Sequence, residues 1–276
     1  MGQKVSITIL ADNLAAEGLA SEHGFAAWIE TDGAKILFDT GNGDAMMQNA
    51  ETLGIALPHA DMIVLSHGHN DHTGNLATIL QQAPQARLYL HPEALRQRYS
   101  IRESAKPIGM PASAVKAVSG LAEHRRMWVT ATVQISEKVR LTGPVPRRTA
   151  YEDTGGPFFK DAAGAHPDDI PDDMSLWIET RAGLVVCLGC CHSGVINTLN
   201  HITAVSGERR IRCVVGGTHL VHASAERMKQ TSAALKAYNI PRVVPCHCTG
   251  GDAVFFLKEE FGETVHQGYA GMRIDT

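Results

Sequence analysis

The chain has 276 residues, of which 44% are hydrophobic, and a net charge of −4 when its 14 histidines are counted as neutral. This composition supports a packed core and argues against a disordered chain. The arginine pairs are short and scattered, which excludes the clustered basic face of a nucleic-acid-binding protein. No apolar run reaches the roughly 20 residues of a membrane span.

The N-terminal residues favour a first strand over a signal peptide, because their short apolar stretch lacks a small-residue cleavage site. We therefore expect a cytoplasmic protein that binds a small-molecule substrate and has neither a nucleic acid nor a membrane as partner. Association into a homo-oligomer remains open.

The first half of the chain alternates short apolar runs with segments of helical periodicity. Strands are predicted at residues 5–10, 26–31, 35–38, 62–65 and 87–90, and helices at 44–53, 74–82 and 93–99. The dipeptide Asp32-Gly33 between the second and third strands is typical of a hairpin turn.

The middle of the chain, from about residue 100 to residue 173, is less regular. Its last part, residues 160–173, is acidic, contains glycine and proline, and predicts a surface loop. Regular patterns then return. They predict strands at 176–179, 184–188, 211–215, 242–245 and 263–274, and helices at 194–205, 223–237 and 252–261.

Two β-rich halves, each flanked by helices, predict an α/β fold with two mixed β-sheets packed face to face and helices outside. Because no change of composition marks a linker, we predict a single domain over residues 1–276 with a less regular insertion at about 100–173.

Six cysteines lie in apolar, strand-like surroundings. In a chain of this length we interpret them as buried thiols and not as a disulfide framework. The spacing of Cys187 and Cys190 also fits a redox or zinc motif, but the sequence has no second pair of this kind.

The strongest signal is the segment His67-Gly68-His69-Asn70-Asp71-His72, which directly follows a predicted buried strand. Three imidazoles and one carboxylate are the donor types that zinc and similar divalent ions prefer. Glycine at position 68 lets the backbone bend tightly enough to turn these side chains toward one point. A solvent-exposed, histidine-rich loop is the alternative, and it would need four ligand-type side chains at this spacing by chance.

This HxHxDH pattern resembles the signature of the metallo-β-lactamase superfamily. The rest of the chain resembles its branch of dihydropterin–ribofuranosylaminobenzene phosphate synthase-like metal-dependent hydrolases. The resemblance covers nearly the whole chain. It is carried by Glu22-His-Gly24, Leu37-Phe-Asp-Thr-Gly41, Leu65-Ser-His-Gly-His69, Thr142-Gly-Pro-Val-Pro-Arg147, Gly189-Cys-Cys-His192-Ser-Gly, Asn197-Thr-Leu199, Gly216-Gly-Thr-His219-Leu and Cys246-His247-Cys-Thr-Gly250.

The resemblance implies the metallo-β-lactamase αββα sandwich with two divalent ions. One ion would take His67, His69 and His192, and the other would take Asp71, His72 and His247. Zinc is the expected metal, and manganese, iron or nickel are alternatives because such donors accept all of them.

The resemblance also implies supporting residues. Asp39 would orient a ligating imidazole through a hydrogen bond, although an N-terminal cap of the following helix is an alternative role. Many superfamily hydrolases have an aspartate where this chain has His219. A neutral imidazole has one lone pair and cannot bridge two ions, so His219 either binds one ion or faces the substrate as acid or base, and a purely structural role is the alternative. We place it with Asp71 among the candidate catalytic residues, for proton handling or substrate orientation.

Two arginines and one histidine are candidate substrate-binding residues. Arg147 and Arg148 follow a Pro-Val-Pro segment, and a planar guanidinium suits phosphate or carboxylate. A surface ion pair with Glu152 or Asp153 is the alternative for either arginine. His23 is expected to line the active-site groove.

The predicted function is therefore hydrolysis of a small, anionic substrate by a metal-activated water. The alternative is a metal-dependent transferase that joins a pterin pyrophosphate to an aminobenzene ribosyl phosphate, as in methanopterin biosynthesis. Flavodiiron redox chemistry is disfavoured because His69 stands where those proteins have glutamate. A non-catalytic metal-binding sensor is disfavoured by the intact ligand set.

Overall fold

The computed structural model describes residues 5–31 and 33–276. These residues form two compact units, each built from separate stretches of the chain. Unit 1 contains the chain up to Thr130 together with Pro157–Asp168 and Tyr269–Thr276, and unit 2 contains Ala131–Gly156 and Asp169–Gly268. The single domain predicted from the sequence stays a prediction.

Unit 1 is built on a mixed sheet of seven strands in the order β16-β1-β2-β3-β4-β5-β8. Its strands are β1 (Ser6–Ala11), β2 (Ala26–Thr31), β3 (Ala34–Phe38), β4 (Met62–Val64), β5 (Arg87–Leu90), β8 (Arg126–Trp128) and β16 (Arg273–Asp275). Strands β3, β4, β5 and β8 run parallel, so their carboxyl ends share one edge of the sheet.

Four helices and a small second sheet complete unit 1. The helices are α1 (Ala45–Thr52), α2 (Asn70–Thr73), α3 (Leu76–Gln82) and α4 (Ala112–Ser119). The small sheet has the order β11-β6-β7 and consists of β6 (Tyr99–Ile101), β7 (Ala105–Pro107) and β11 (Phe158–Phe159). It belongs to the region predicted as a less regular insertion.

Unit 2 contains a mixed sheet of six strands in the order β15-β14-β13-β12-β10-β9. Its strands are β9 (Val133–Gln134), β10 (Val139–Leu141), β12 (Leu176–Thr180), β13 (Gly183–Leu188), β14 (Ile211–Gly217) and β15 (Val243–Cys246). Its helices are α5 (Val195–Ser206), α6 (Ala225–Lys236) and α7 (Gly251–Phe261). Strands β13, β14 and β15 run parallel.

The central strands are apolar runs instead of alternating patterns. Every residue of β4 and β13 is buried, as expected for parallel strands that are covered on both faces. Unit 1 has a core around Leu37, Ile63 and Leu88, and unit 2 has one around Val186 and Val214. In such strands the polar side chains are found where the strands end.

Two predicted elements differ from the structure. The helix predicted at 93–99 is wrong. A short 3₁₀ turn covers Pro92–Leu95, and β6 begins at Tyr99 because the backbone of residues 98–101 pairs with residues 105–108. The last strand, predicted at 263–274, is shorter: a 3₁₀ turn covers Gly262–Thr264, Val265 forms an isolated bridge with Val243, and the strand itself is Arg273–Asp275.

The acidic segment 160–173 was predicted as a surface loop, and this is wrong for its second half. Asp168, Asp172 and Asp173 are buried. Asp168 pairs with a buried arginine and Asp173 accepts two backbone N–H groups. Buried carboxylates require such partners, which composition alone does not reveal.

The hairpin predicted after β2 forms, since β2 and β3 pair antiparallel up to Thr31 and Ala34; Asp32 of the predicted turn lies outside the described residues. Within residues 5–31 and 33–276, no helix has the length and apolar character needed to cross a membrane.

All six cysteines are buried thiols without disulfide bonds, as predicted. Burial raises the pKa of Cys213 to about 11. Burial also raises the pKa values of Cys187 and Cys191 well above that of an ordinary thiol.

These pKa values predict slow alkylation in the native protein. At pH 8 a thiol of pKa about 11 is thiolate in roughly one molecule per thousand, and only the thiolate reacts. Peptide mass spectrometry after iodoacetamide treatment should find Cys187, Cys191 and Cys213 unmodified in the native chain and modified after unfolding in urea. Rapid labelling of Cys213 in the native chain would contradict its burial.

Candidate metal centre

The HxHxDH segment of unit 1 lies where β4 ends and α2 begins. His67 Nε2 is 2.9 Å from His69 Nδ1, and the ring centroids of His67 and His72 are 4.3 Å apart. Asp71 Oδ2 lies 4.0 Å from His72 Nε2 and 3.4 Å from Nδ1 of the exposed His23. The structure thus brings these five predicted site residues of unit 1 close together.

The carboxylate of Asp39 supports the HxHxDH segment through hydrogen bonds. Its fully buried carboxylate accepts hydrogen bonds from the Ser66 amide, the Ser66 hydroxyl and His72 Nδ1, each at 2.7 Å. A proton on Nδ1 places the lone pair of neutral His72 on Nε2, where a metal would bind. Asp39 does not cap α1, which follows Asp44. The hydrogen bond to His72 is the contact that the predicted orienting role requires, and the role itself stays a prediction.

Close backbone approach explains the two glycines of the segment. A Cβ atom at Gly68 would lie 2.2 Å from the Ala94 carbonyl oxygen, and one at Gly74 would lie 2.3 Å from that of Asn42. Since real Cβ atoms do not come so near, any side chain at either position would displace the loop that carries the donors.

The small sheet of unit 1 contacts the same loop. The Asn70 amide donates to the Ile108 carbonyl at 2.8 Å, and His69 forms a bridge with Gly109. The ring of Phe158 in β11 lies 5.3 Å from that of His69. Sequence reasoning missed Phe158, because the pairing of residues 158–159 with β6 has no clear signal in the sequence.

In unit 2, His192 follows β13 and is fixed by three hydrogen bonds. Its Nδ1 is 2.8 Å from the Thr154 carbonyl oxygen, and its amide donates to Asp173 at 3.0 Å. Its own carbonyl accepts from the Arg147 guanidinium at 2.5 Å. The bond to Thr154 requires a proton on Nδ1 and places the lone pair of the neutral ring on Nε2.

Burial raises the pKa of Asp173, against the lowering effect of hydrogen bonds from the Ser193 and His192 backbone and of the Arg147 charge. Neither Asp173 nor Thr154 was found from the sequence, because each acts through a contact distant along the chain.

His219 and His247 follow the parallel strands β14 and β15 and complete this edge of unit 2. The ring of His219 lies 4.3 Å from that of His192. Both residues have positive φ, 48° for His219 and 47° for His247, and Cys191 and Asp39 share this conformation at 59° and 60°. Positive φ is uncommon for residues other than glycine and is concentrated at functional sites.

The thiols of Cys190 and Cys248 lie close to these histidines. Cys190 belongs to one group of donors with His192 and His219, and to a second with His247 and Cys248; within each group the donor atoms lie within 4.8 Å of one another. Burial raises the pKa of Cys248, but hydrogen bonding with Cys190 and the proximity of His219 and His247 outweigh burial and hold that pKa well below the ordinary value.

A model of the metallo-beta-lactamase superfamily matches residues 22–187 of this chain. The chain belongs to the metallo-beta-lactamase superfamily. The match begins at the Glu22-His23-Gly24 segment, includes the whole HxHxDH segment and ends in β13. The resemblance drawn from the sequence is thereby confirmed, and so is the predicted fold class.

Two relatives cover almost the whole chain. A solved structure described as Tm1679, a metal-dependent hydrolase of the beta-lactamase superfamily, is 33% identical, with 99% of each chain covered and a TM-score of 0.83. The 7,8-dihydropterin-6-methyl-4-(beta-D-ribofuranosyl)-aminobenzene-5'-phosphate synthase of Methanocaldococcus jannaschii is 28% identical over 91% of this chain and 89% of its own length.

A more distant structure, Zn(2+)-bound PqqB from Methylobacterium extorquens, shares the fold at 14% identity, with 98% of this chain and all of that chain covered and a TM-score of 0.59. Members of the superfamily bind divalent metals, and the imidazole, carboxylate and thiol donors described above fit such ions chemically. The roles of the individual residues as metal ligands stay predictions.

The arginines predicted to bind substrate have local partners in this superfamily member. Arg147 donates to the carbonyl oxygens of His192 and Asp169, and the Arg148 amide donates to Asn197 Oδ1. Both side chains are exposed. Arg147 therefore supports the loop that carries His192, and substrate binding by either arginine stays a prediction.

The acidic partners considered for these arginines are engaged elsewhere. Glu152 accepts from the amides of Ile196 and Asn197 at the start of α5, and Asp153 pairs with Arg227.

Proposed function

We propose that this chain is a metal-dependent hydrolase that acts on a small substrate bearing a phosphate or carboxylate group. The observation that carries the proposal is the buried Asp39 carboxylate, which fixes His72 beside Asp71, His67 and His69. A buried carboxylate that orients imidazoles in this way is typical of metal sites. The 33% identity to a metal-dependent hydrolase supports the same reaction class.

The proposed ligands are His67, His69, Asp71 and His72 in unit 1, and His192 and His247 in unit 2. Two divalent ions, with zinc favoured, would supply an activated water and neutralise charge on the substrate. Asp39 and the Thr154 carbonyl hold His72 and His192 in the tautomers that ligation needs. His219 is proposed to move a proton or orient the substrate, since its ring lies against that of His192.

Substrate contacts are proposed for His23, Arg147 and Arg148. His23 is exposed and lies 3.4 Å from Asp71, so its imidazole can contact a group bound beside that carboxylate. The guanidinium groups would attract the anionic part of the substrate.

His67→Ala tests the proposal directly. We expect it to lower both the metal content of the purified chain, measured by inductively coupled plasma mass spectrometry, and the hydrolysis of a panel of phosphate and carboxylate esters. The matched control is His59→Ala, which removes an exposed histidine of the same unit. It should change neither the metal content nor the rate of ester hydrolysis. Full metal content and full turnover in His67→Ala would refute the assignment.

A second candidate is suggested by the relative from Methanocaldococcus jannaschii, which is named as a synthase. In this case the chain would join a pterin pyrophosphate to an aminobenzene ribosyl phosphate and release pyrophosphate. Incubation with both compounds separates the candidates. A coupled product with a new C–N bond supports the transferase, and cleavage of a single substrate without coupling supports the hydrolase.

A further inference from the structure

Four cysteines flank the two strand-end histidines of unit 2, but only two of them face the metal donors. Cys190 is two residues before His192, and Cys248 directly follows His247. Their sulfur atoms belong to the donor groups whose atoms lie within 4.8 Å of one another. Cys190 is 2% exposed and Cys248 is 9% exposed.

The other two thiols form hydrogen bonds to their own strand or to a helix. Cys191 Sγ lies 3.3 Å from Thr198 Oγ1 of α5, and Cys246 Sγ donates to the Val244 carbonyl oxygen at 3.3 Å. Each strand end therefore has one donor-facing thiol and one packing thiol, although Cys190 and Cys191 are neighbours and Cys246 and Cys248 are two residues apart. Cys248 Sγ also donates to the Cys190 carbonyl oxygen at 3.5 Å.

A turn of the backbone at His247 brings the Cys248 thiol close to the other donor atoms. Strand alternation predicts that Cys246 and Cys248 point away from His247 and pack in the core, in keeping with the buried thiols expected from the sequence. Instead β15 ends at Cys246, His247 takes a φ of 47°, and His247–Thr249 form a 3₁₀ turn. The alternation stops at the histidine, so the interpretation of Cys248 as packing away from His247 is corrected.

We propose that Cys190 and Cys248 are metal ligands in unit 2 and bind one zinc-class divalent ion together with His247. The inference rests on the proposed function in one respect, namely that the chain binds divalent metal. In a tetrahedral site with Zn–S bonds of about 2.3 Å and Zn–N bonds of about 2.0 Å, donor atoms are roughly 3.3 to 3.8 Å apart. The observed group needs only small side-chain movements to reach this arrangement.

Thiolate ligands change the properties of the ion. Sulfur donors favour zinc over manganese and magnesium, which prefer oxygen. Three protein donors also leave one tetrahedral position for water or substrate, as in catalytic zinc sites. The two thiols would lose their protons to solvent when the ion binds.

Cobalt substitution tests the proposal on the full-length chain. Co²⁺ is added to metal-free protein and its absorption spectrum is recorded. Cobalt bound by thiolate gives a sulfur-to-cobalt charge-transfer band in the near ultraviolet, in addition to the visible bands that any bound Co²⁺ produces. We expect this band in the native sequence and its reduction in Cys190→Ser and in Cys248→Ser.

Cys187→Ser is the matched control, because Cys187 is a buried thiol within β13 that belongs to neither donor group. The Cys187→Ser variant should keep the sulfur-to-cobalt charge-transfer band. Visible cobalt bands without a charge-transfer band in the native sequence would overturn the thiolate inference and leave the proposed metal-dependent function intact. No bound cobalt at all would overturn both the thiolate inference and the proposed metal-dependent function. A band that persists in a Cys190→Ser/Cys248→Ser double variant would also overturn the inference.

Discussion

Asp39→Asn is expected to weaken metal binding by about 10- to 100-fold, the usual effect of losing a carboxylate that orients a ligating histidine. When asparagine keeps its oxygen on the Ser66 amide, its NH2 group takes the place of Oδ2 and cannot accept the hydrogen bonds that Asp39 Oδ2 takes from Ser66 Oγ and His72 Nδ1. Two buried donors lose their acceptor, which should lower the free energy of unfolding by about 2 to 5 kcal/mol. Zinc titration against a competing chelator and urea denaturation measure the two effects.

Asparagine is the appropriate replacement because it tolerates the positive φ of position 39 better than alanine does. Asp44→Asn is the matched control, since Asp44 is exposed and its side chain makes no capping hydrogen bond to α1. It should change stability by less than about 0.5 kcal/mol and leave metal affinity unchanged. Native metal affinity in Asp39→Asn would show that the carboxylate does not orient a ligand.

The second large effect is expected at the buried ion pair of unit 1. Arg98 Nε lies 2.8 Å from Asp168 Oδ2, and the two side chains are 1% and 2% exposed. Arg98→Met would leave the Asp168 carboxylate buried without its cation, which typically lowers the free energy of unfolding by about 3 to 5 kcal/mol. Urea denaturation of the variant measures this loss.

The double variant Arg98→Met/Asp168→Leu distinguishes the lost charge from the lost packing. Replacing both partners with apolar residues removes the uncompensated charge, so stability should return close to that of the native sequence. Arg96→Met breaks the exposed pair with Glu93 and should change stability by less than about 1 kcal/mol. A double variant as unstable as Arg98→Met would indicate that packing of Arg98, not its charge, stabilises this region.

The ion pair also bears on the candidate site. Asp168 is hydrogen-bonded to the strand that contains Phe158, because its amide donates to the Phe158 carbonyl oxygen at 2.9 Å. Phe158 in turn lies against His69. Loss of the Arg98–Asp168 ion pair is therefore expected to disturb His69, a proposed ligand, through Phe158.

The sequence predicted well those parts of the fold that local patterns determine. Apolar runs such as Met62–Val64 and Gly183–Leu188 became buried parallel strands, and the histidine-rich segment lies at the end of one of them. The contact between Asp39 and His72 was expected from the resemblance to the superfamily, with an N-terminal cap as the alternative role of Asp39.

Long-range contacts explain what could not be predicted. The burial of Asp168 depends on Arg98, seventy residues earlier in the chain, and the tautomer of His192 depends on Thr154. Strand alternation could predict neither Cys190 nor Cys248 as a donor. Cys191, with a φ of 59°, interrupts the extended backbone between Cys190 and His192, and the turn at His247 reverses the direction of Cys248.

The positive φ values at Asp39, Cys191, His219 and His247 have a consequence for protein engineering. Each such residue other than glycine carries roughly 1 to 2 kcal/mol of conformational strain. Relief of this strain favours glycine at Cys191, His219 and His247, but not at Asp39, where the hydrogen bonds of the carboxylate outweigh it. Two of the three substitutions would remove imidazoles from the candidate site. A heat-resistant version of this protein has to be sought elsewhere in the chain, with the strained strand ends left as they are.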